Sequence, residues 1–311
     1  MNDIFYPSHD GKTTIHACIW RPEGEIKGVV QIIHGMCEHA QRYAPLAEFL
    51  NEKGYLVCAE DHLGHGKSVT SEKELGYFNK QRSTKIVLDD IRALHLAVKK
   101  QTEGKPYFIL GHSMGSFFCR KYISLYGKEF DGAIVMGTGF NNAFTLSFGI
   151  AVAGLSSLFC GWHRRSKLIT KLAFGVYNKK FKPARTPFDW LSKDEENVDR
   201  YLADPLCGFT FTNNGYHVLF SILKDVCSHK TIEATDKNLP VFFVSGSDDP
   251  VGGYGKGVLK VKKKFDEAEI KDVSVKLYEG ARHEILNDFC KTEVYGDILE
   301  FIEKHSGEKN G

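Results

Sequence analysis

The chain has 311 residues, 42% hydrophobic and 26% charged, enough for one large α/β domain with an insertion or for two domains. A net charge of +2 lacks the basic surplus that nucleic acid binding demands, so no nucleic acid partner is expected. The eight cysteines are scattered with no Cys-x-x-Cys pair, which reads as reduced thiols packed as small hydrophobes in a cytoplasmic protein.

In chain order, Met1 to Tyr6 has no basic flank and no long apolar core, unlike a secretory signal. Ile4–Tyr6 and Thr13–Trp20 read as strands on either side of the turn His9-Asp10-Gly11. Val29–Ile33 is a buried-type strand that stops at His34-Gly35. Ala44–Asn51 reads as a helix closed by Gly54, and Tyr55–Glu60 as the next strand. Ser83 or Thr84 is placed to cap a long helix running to about Thr102. Strand Tyr107–Leu110, helix Met114–Tyr126 and strand Ala133–Met136 follow. From about 140 to 225 there are apolar helical pieces, a basic patch and no clear strand. The sheet rhythm resumes with strand Val241–Val244, a helix over about 257–265, strand Val273–Tyr278 and a helix over Val294–His305. The polar tail from Ser306 to Gly311 reads as frayed.

Strands alternating with helices mean a mostly parallel sheet covered on both faces, with functional residues on loops at the strands' carboxyl ends. The expected division is a core of residues 1–139 and 226–311, interrupted by a helical lid, or cap, over 140–225. That insertion is too long to be a plain connection. Residues 132–162 carry no charge, but glycines, asparagines and serines interrupt the run. An apolar helix over Phe144–Phe159 that covers a cleft fits better than a membrane span.

The chemistry centres on Gly111-His112-Ser113-Met114-Gly115, where an apolar strand ends and a helix begins. Gly-x-Ser-x-Gly in that setting is the nucleophile elbow of the α/β-hydrolase fold. Side chains two residues either side of the serine would collide with the neighbouring strand and helix. The helix directs its free N–H groups at the reaction centre. A serine hydroxyl needs a general base, and the base needs a group that fixes its tautomer. In this fold the order is Ser, acid, His. His283, after strand Val273–Tyr278, is the candidate base. Asp248 and Asp249, after strand Val241–Val244, are the candidate acids. Asp249 is preferred because Pro250 extends its backbone, which leaves Asp248 as a turn or solvated carboxylate. Two N–H donors must meet the oxyanion. Met114, next to the nucleophile, and Met36, in the loop His34-Gly35-Met36, are the candidates. His34, Gly35, Phe144 and Phe148 are candidate substrate contacts.

Other features have plainer readings. His62 and His65 sit close in sequence, but no further ligands stand at a metal spacing. Their loop is expected to leave its strand away from the serine, and no metal or organic cofactor is expected. His34 and His39 read as holding the oxyanion loop, and His112 as structural. Asp194, Glu195, Glu196 and Asp199 form one hydrophilic run that reads as solvated. The basic run Arg164, Arg165, Lys167, Lys171, Lys179, Lys180, Lys182 and Arg185 reads as a solvated face or as a weak peripheral contact with anionic lipid.

These segments together resemble the monoacylglycerol lipase and lysophospholipase branch of the α/β-hydrolases, also described as serine-aminopeptidase-like hydrolases. His34-Gly35-Met36-Cys37-Glu38-His39-Ala40-Gln41-Arg42-Tyr43 is similar to its His-Gly-x-x-Glu-His-x-x-Arg-Tyr segment. Asp61-His62-Leu63-Gly64-His65-Gly66-Lys67-Ser68 resembles its Asp-x-x-Gly-x-Gly-x-Ser turn. Gly246-Ser247-Asp248-Asp249 fits its Gly-x-x-Asp acid motif, which again selects Asp249, and Gly280-Ala281-Arg282-His283 fits its histidine loop. The likeness runs from about residue 10 to residue 305 and is weakest in the lid, where Asp204-Pro205-Leu206-Cys207 is familiar. Ser116 and Met36 depart from the usual small residues. The resemblance implies a serine hydrolase of single-chain lipid esters, monoacylglycerol-like or lysophospholipid-like. A short-chain carboxylesterase, a peptidase or amidase on the same triad, and a non-enzymatic binding protein are the other classes to separate. Oligomeric state is not legible.

Overall fold

The computed structural model describes residues 1–307; the expected frayed tail extends over 308–311, outside the described residues. Eight strands form one sheet: β1 (Asn2–Pro7), β2 (Thr14–Trp20), β3 (Gly28–Ile33), β4 (Tyr55–Glu60), β5 (Tyr107–His112), β6 (Gly132–Met136), β7 (Val241–Gly246) and β8 (Val273–Tyr278). Their spatial order is β1-β2-β4-β3-β5-β6-β7-β8. β2 pairs antiparallel with both β1 and β4, and every later neighbour is parallel.

The parallel pairs require crossovers, which the helices provide. These are α1 (Ala44–Glu52), α2 (Thr84–Gln101), α3 (Met114–Tyr126) and, between β7 and β8, α9 (Lys256–Glu267). Between β6 and β7 the chain builds α4 (Ala143–Cys160), α5 (Lys167–Phe174), α6 (Glu195–Ala203), α7 (Asn213–Val226) and α8 (His229–Glu233). α10 (Lys291–His305) closes the fold.

The strands bury both faces, and the pleat sorts their side chains by a period of two. Val29 and Ile33 of β3, with Tyr107 and Ile109 of β5, pack into the core with α2, α3, α7 and α9. Val30, Ile32, Phe108 and Leu110 pack into the opposite core with α1 and α10.

β3 and β5 are neighbours, and the chain winds away from them in opposite directions. Loops leaving their carboxyl ends therefore diverge and leave a crevice at this switch point. Ser113 follows β5 and His34-Gly35-Met36 follows β3, so both enter it.

Most element boundaries agree with the sequence reading to within two or three residues. Two local details go beyond the sequence reading. β5 runs on through Gly111 and His112, since Gly111 still pairs with Ile33 and His112 with Met136. Ser83 holds the N-cap position of α2 but makes no capping bond; its own N–H instead donates to Asn79 Oδ1 at 2.8 Å.

The helices inserted between β6 and β7, called the cap below, start on side chains that satisfy their free amides. Asn142, Ser166, Asp194 and Thr212 each accept an N–H from the first turn of α4, α5, α6 and α7. α4 is long and apolar enough to cross a bilayer, yet its Leu146 and Ala153 are packed into the core. Away from that contact, Phe144, Leu158 and Phe159 are each at least 80% exposed.

Candidate active site

The elbow is a forced conformation. Ser113 sits at φ 55 and ψ −121, a region that costs a non-glycine residue on the order of 1–3 kcal/mol. A Cβ on Gly115 would lie 2.0 Å from Ile33 O, and one on Gly111 would lie 2.4 Å from Gly115 O. Both glycines therefore permit the close approach of β3, β5 and α3. His34 also takes part, since its carbonyl would be 2.5 Å from the same Gly115 Cβ.

His283 and Asp249 come together from two loops. His283 Nδ1 lies 2.9 Å from Asp249 Oδ2. That carboxylate also accepts from Ser245 Oγ at 3.1 Å and from the Val251 N–H at 2.8 Å. An ionised carboxylate only accepts, so Nδ1 carries the proton and Nε2 is left as the free base. Asp249 is wholly buried and His283 nearly so. Asp248 points elsewhere: its side chain stays 22% exposed and pairs with Lys180 of the cap.

Ser113, His283, Met36 and Met114 share one cavity of about 760 Å³. Met114 is the first residue of α3, so its N–H has no intrahelical acceptor. Among the described residues no hydrogen-bond acceptor takes the Met36 N–H. Phe148 lines the cavity, with Leu146, Val152, Leu219 and Phe220 of α4 and α7. Three of the proposed substrate contacts fall outside this lining. Phe144 is 84% exposed on the far face of α4, and His34 is wholly buried behind the loop. Gly35 is packed against Glu38 and the Ser113 Cβ.

The loop carrying Met36 is held from every side. His34 Nδ1 donates to Gly35 O at 2.7 Å, and its Nε2 accepts the His62 N–H at 3.0 Å. Burial holds His34 well below its ordinary pKa, so it is neutral. The His62 ring lies against it, tilted by 37°, with centroids 4.0 Å apart. The His62–His65 loop is therefore not remote from the serine but backs the oxyanion loop, because β4 lies beside β3. On the cap side, Cys37 O accepts from the Gly208 N–H at 3.0 Å and from the Tyr201 hydroxyl at 3.1 Å. His39 bonds Asp204 at 2.8 Å.

Beneath the cavity lies a buried charge cluster to which no role was assigned from sequence. Arg42 donates to Glu38 at 2.8 Å and, through two nitrogens, to Glu284 at 2.8 and 2.7 Å. Glu38 Oε1 also accepts from the Gly35 N–H at 2.6 Å and the Tyr43 hydroxyl at 2.8 Å, with His112 Nδ1 at 3.2 Å. Glu284 accepts from Asn197 of α6 at 2.9 Å. Burial alone would raise the Glu38 carboxyl, but the His112 hydrogen bond and the Arg42 charge hold it well below its usual range. Glu284 is lowered against the same burial, chiefly by the Arg42 charge. His112, whose Nε2 lies 3.3 Å from His283 O, is raised by its Glu38 bond despite burial. Trp190 of the cap covers the His283 ring at 5.2 Å, another contact invisible in the linear sequence.

Comparison with known proteins agrees with this architecture. The family described as serine aminopeptidase, S33, matches residues 24–289. A monoacylglycerol lipase from Mycolicibacterium smegmatis is 28% identical over 290 residues, which cover 92% of both chains. Human monoglyceride lipase is 26% identical over 267 residues, covering 85% of this chain and 78% of its own. A thermostable carboxyl esterase from Bacillus coagulans, solved with glycerol, superposes with a TM-score of 0.91 at 29% identity, over 98% of this chain and 99% of its own. The chain belongs to the serine aminopeptidase, S33 family.

Removing Arg42 leaves two buried carboxylates without a counter-charge. Arg42→Met is expected to lose about 3–5 kcal/mol of stability at neutral pH, measured by urea denaturation. Glu38 and Glu284 have lowered folded-state pKa values, so their contribution is present above the ordinary carboxylate pKa. It is lost as pH falls through the folded values. The gap between wild type and variant should therefore narrow on acidification. A constant gap would mean the cluster is not ionised as described.

Proposed function

We propose that this member of the serine aminopeptidase, S33 family is a carboxylester hydrolase of single-chain lipids, monoacylglycerol-like or lysophospholipid-like. The observation that carries the reading is the position of Ser113 on a strained elbow at the wall of a large apolar cavity, with His283 and Asp249 in the same site. Ser113 Oγ attacks the ester carbonyl while His283 Nε2 takes its proton. Asp249 holds Nδ1–H and stabilises the imidazolium that forms. The Met36 and Met114 amides donate to the oxyanion. The alcohol leaves with the proton from His283. Water, activated by the same nitrogen, then cleaves the acyl-enzyme and restores Ser113. Acyl transfer by these groups requires no metal and no organic cofactor.

Cavity chemistry supports a lipid acyl group. The walls from α4 and α7 are aliphatic and aromatic, and about 760 Å³ is far more than an acetyl group fills. The names of the relatives, a monoacylglycerol lipase and a monoglyceride lipase, point the same way. A peptidase that grips a free α-amine would need an unneutralised carboxylate in the cavity. Glu38 and Glu284 line it, but both are committed to Arg42, Glu38 also to the Gly35 N–H and the Tyr43 hydroxyl and Glu284 also to Asn197, so neither is free to grip an amine. Asp194 caps α6 and Asp199 pairs with Arg185. A cytoplasmic location fits the eight unpaired cysteines among the described residues.

The cap also offers a membrane contact. Phe144, Leu158 and Phe159 of α4 are exposed, and so are Leu168 and Leu172 of α5. The basic run from 163 to 185 contains no acidic residue. Its Arg185 and Lys180 are paired with carboxylates, while Lys167 and Lys171 border the cavity. An apolar face rimmed by lysines suits the headgroup region of an anionic bilayer.

Ser113→Ala should reduce ester turnover by about ten-thousand-fold or more while circular dichroism and thermal stability persist. Wild type should turn over a medium- or long-chain monoacylglycerol or lysophospholipid with higher kcat/KM than p-nitrophenyl acetate or a proline arylamide. Retained activity in the variant sinks the mechanism, and preferred amide cleavage sinks the substrate class. In a separate co-sedimentation assay, the protein should bind phosphatidylglycerol vesicles more than phosphatidylcholine vesicles, and salt should weaken the difference. Equal binding to both, or none, removes the anionic-membrane contact.

A further inference from the structure

We propose that Arg120 is a positioning residue that fixes both ends of the cap above the acyl cavity and so sets the acyl length the enzyme accepts; this rests on the ester-hydrolase reading. Arg120 lies on α3, two turns beyond Ser113, and is 1% exposed. Its Nη1 donates to Gly139 O at 3.2 Å and to Thr138 Oγ1 at 3.4 Å. Its Nη2 donates to Val226 O at 2.6 Å. Gly139 is where the chain leaves the core for α4, and Val226 is the last residue of α7. One guanidinium thus bridges the nucleophile helix to the exit and the return of the cap.

The chemistry of these contacts is specific. None of the acceptors is a carboxylate. The charge is instead met by carbonyl dipoles, including one at the carboxyl end of α7, where the helix dipole favours a cation. Burial pulls the guanidinium below its ordinary pKa, and its Nε has no hydrogen-bond partner among the described residues. Methionine or leucine would fill the same space without either cost. A planar fork reaches acceptors on two separate segments, which a lysine ammonium on a single stem reaches less well. If either end of the cap moved away, the guanidinium would lose an acceptor at a site that is only 1% exposed.

The ends held in this way belong to the helices that wall the cavity. Leu146, Phe148 and Val152 follow Gly139 on α4, and Leu219, Phe220 and Leu223 precede Val226 on α7. Loosening the base should therefore disturb long acyl chains, which need the walls, more than an acetyl group, which needs only the serine.

The test is a p-nitrophenyl ester series from acetate to palmitate on wild type, Arg120→Lys and Arg120→Met, with active sites counted by a fluorophosphonate probe. For Arg120→Met, kcat/KM on palmitate should fall about tenfold, mainly through KM, while acetate stays within about twofold; Arg120→Lys should be intermediate. An equal fall at every chain length, or no fall on palmitate, overturns the proposal. If Arg120→Met does not fold, the palmitate-to-acetate ratio of Arg120→Lys decides. If wild type cleaves acetate but no long ester, the lipid reading has failed. Arg120 is then judged by hydrogen exchange, where faster exchange at the first turn of α4 and last turn of α7 in Arg120→Lys supports the bridge and unchanged exchange overturns it.

Discussion

Arg42, buried between Glu38 and Glu284, is the interaction on which the rest of the site depends. Three ionised groups out of water are costly unless each is paired and hydrogen-bonded. Here each is. Glu38 meets the oxyanion loop at the Gly35 N–H and the elbow at His112. Glu284 follows the candidate base directly and meets the cap at Asn197. Segments far apart in sequence thus converge on one cation: the β3 loop, the β5 elbow, the β8 loop and α6. A shift in any one leaves a charge unpaired, so the cluster favours a single relative placement of Ser113, His283 and the Met36 loop. That is a gain in geometry more than in stability, since apolar residues could have filled the same volume.

The second constraint is crowding at the elbow. The parallel register brings β3 and β5 into contact until only glycine fits at Gly111 and Gly115. That contact holds Ser113 at a positive φ it would not adopt alone. Packing in the two cores on either side of the sheet offsets the strain. The cap completes the site in a different way. It contributes few charges to the cavity and many apolar side chains, and it covers His283 with Trp190. Exclusion of water strengthens the Asp249–His283 pair.

Much of the core was legible in the sequence because its signals are local. Apolar runs of strand length, glycines at their ends and helical periodicity located nearly every core element. The choice of Asp249 over its neighbour followed from Pro250 and the Gly-x-x-Asp spacing, and the structure pairs Asp249 with His283 and Asp248 with Lys180. What stayed hidden depends on contacts between distant segments. Arg42 and Glu284 are 242 positions apart, and nothing in either stretch announces the other. The same holds for the His62 ring on His34, which needed the β4-β3 adjacency. Phe144 was misplaced because α4 is apolar on all sides. With no polar face, its sequence does not separate inward from outward residues; in the structure Phe148 reaches the cavity while still 60% exposed, and Phe144, one turn earlier, lies outside the lining. Ser83 was placed correctly at the head of α2, but its side chain makes no cap bond, a detail that composition does not encode.

The central claim is that Ser113, the Met36 and Met114 amides and the apolar walls of α4 and α7 act on one bound acyl ester. A crystal structure of the protein after reaction with a long-chain alkyl phosphonate tests it most directly. The expected adduct has phosphorus bonded to Ser113 Oγ, one phosphonyl oxygen within hydrogen-bond reach of both amides, and the alkyl chain lying between α4 and α7. Labelling of another residue, or an alkyl chain lying outside that cavity, would contradict it.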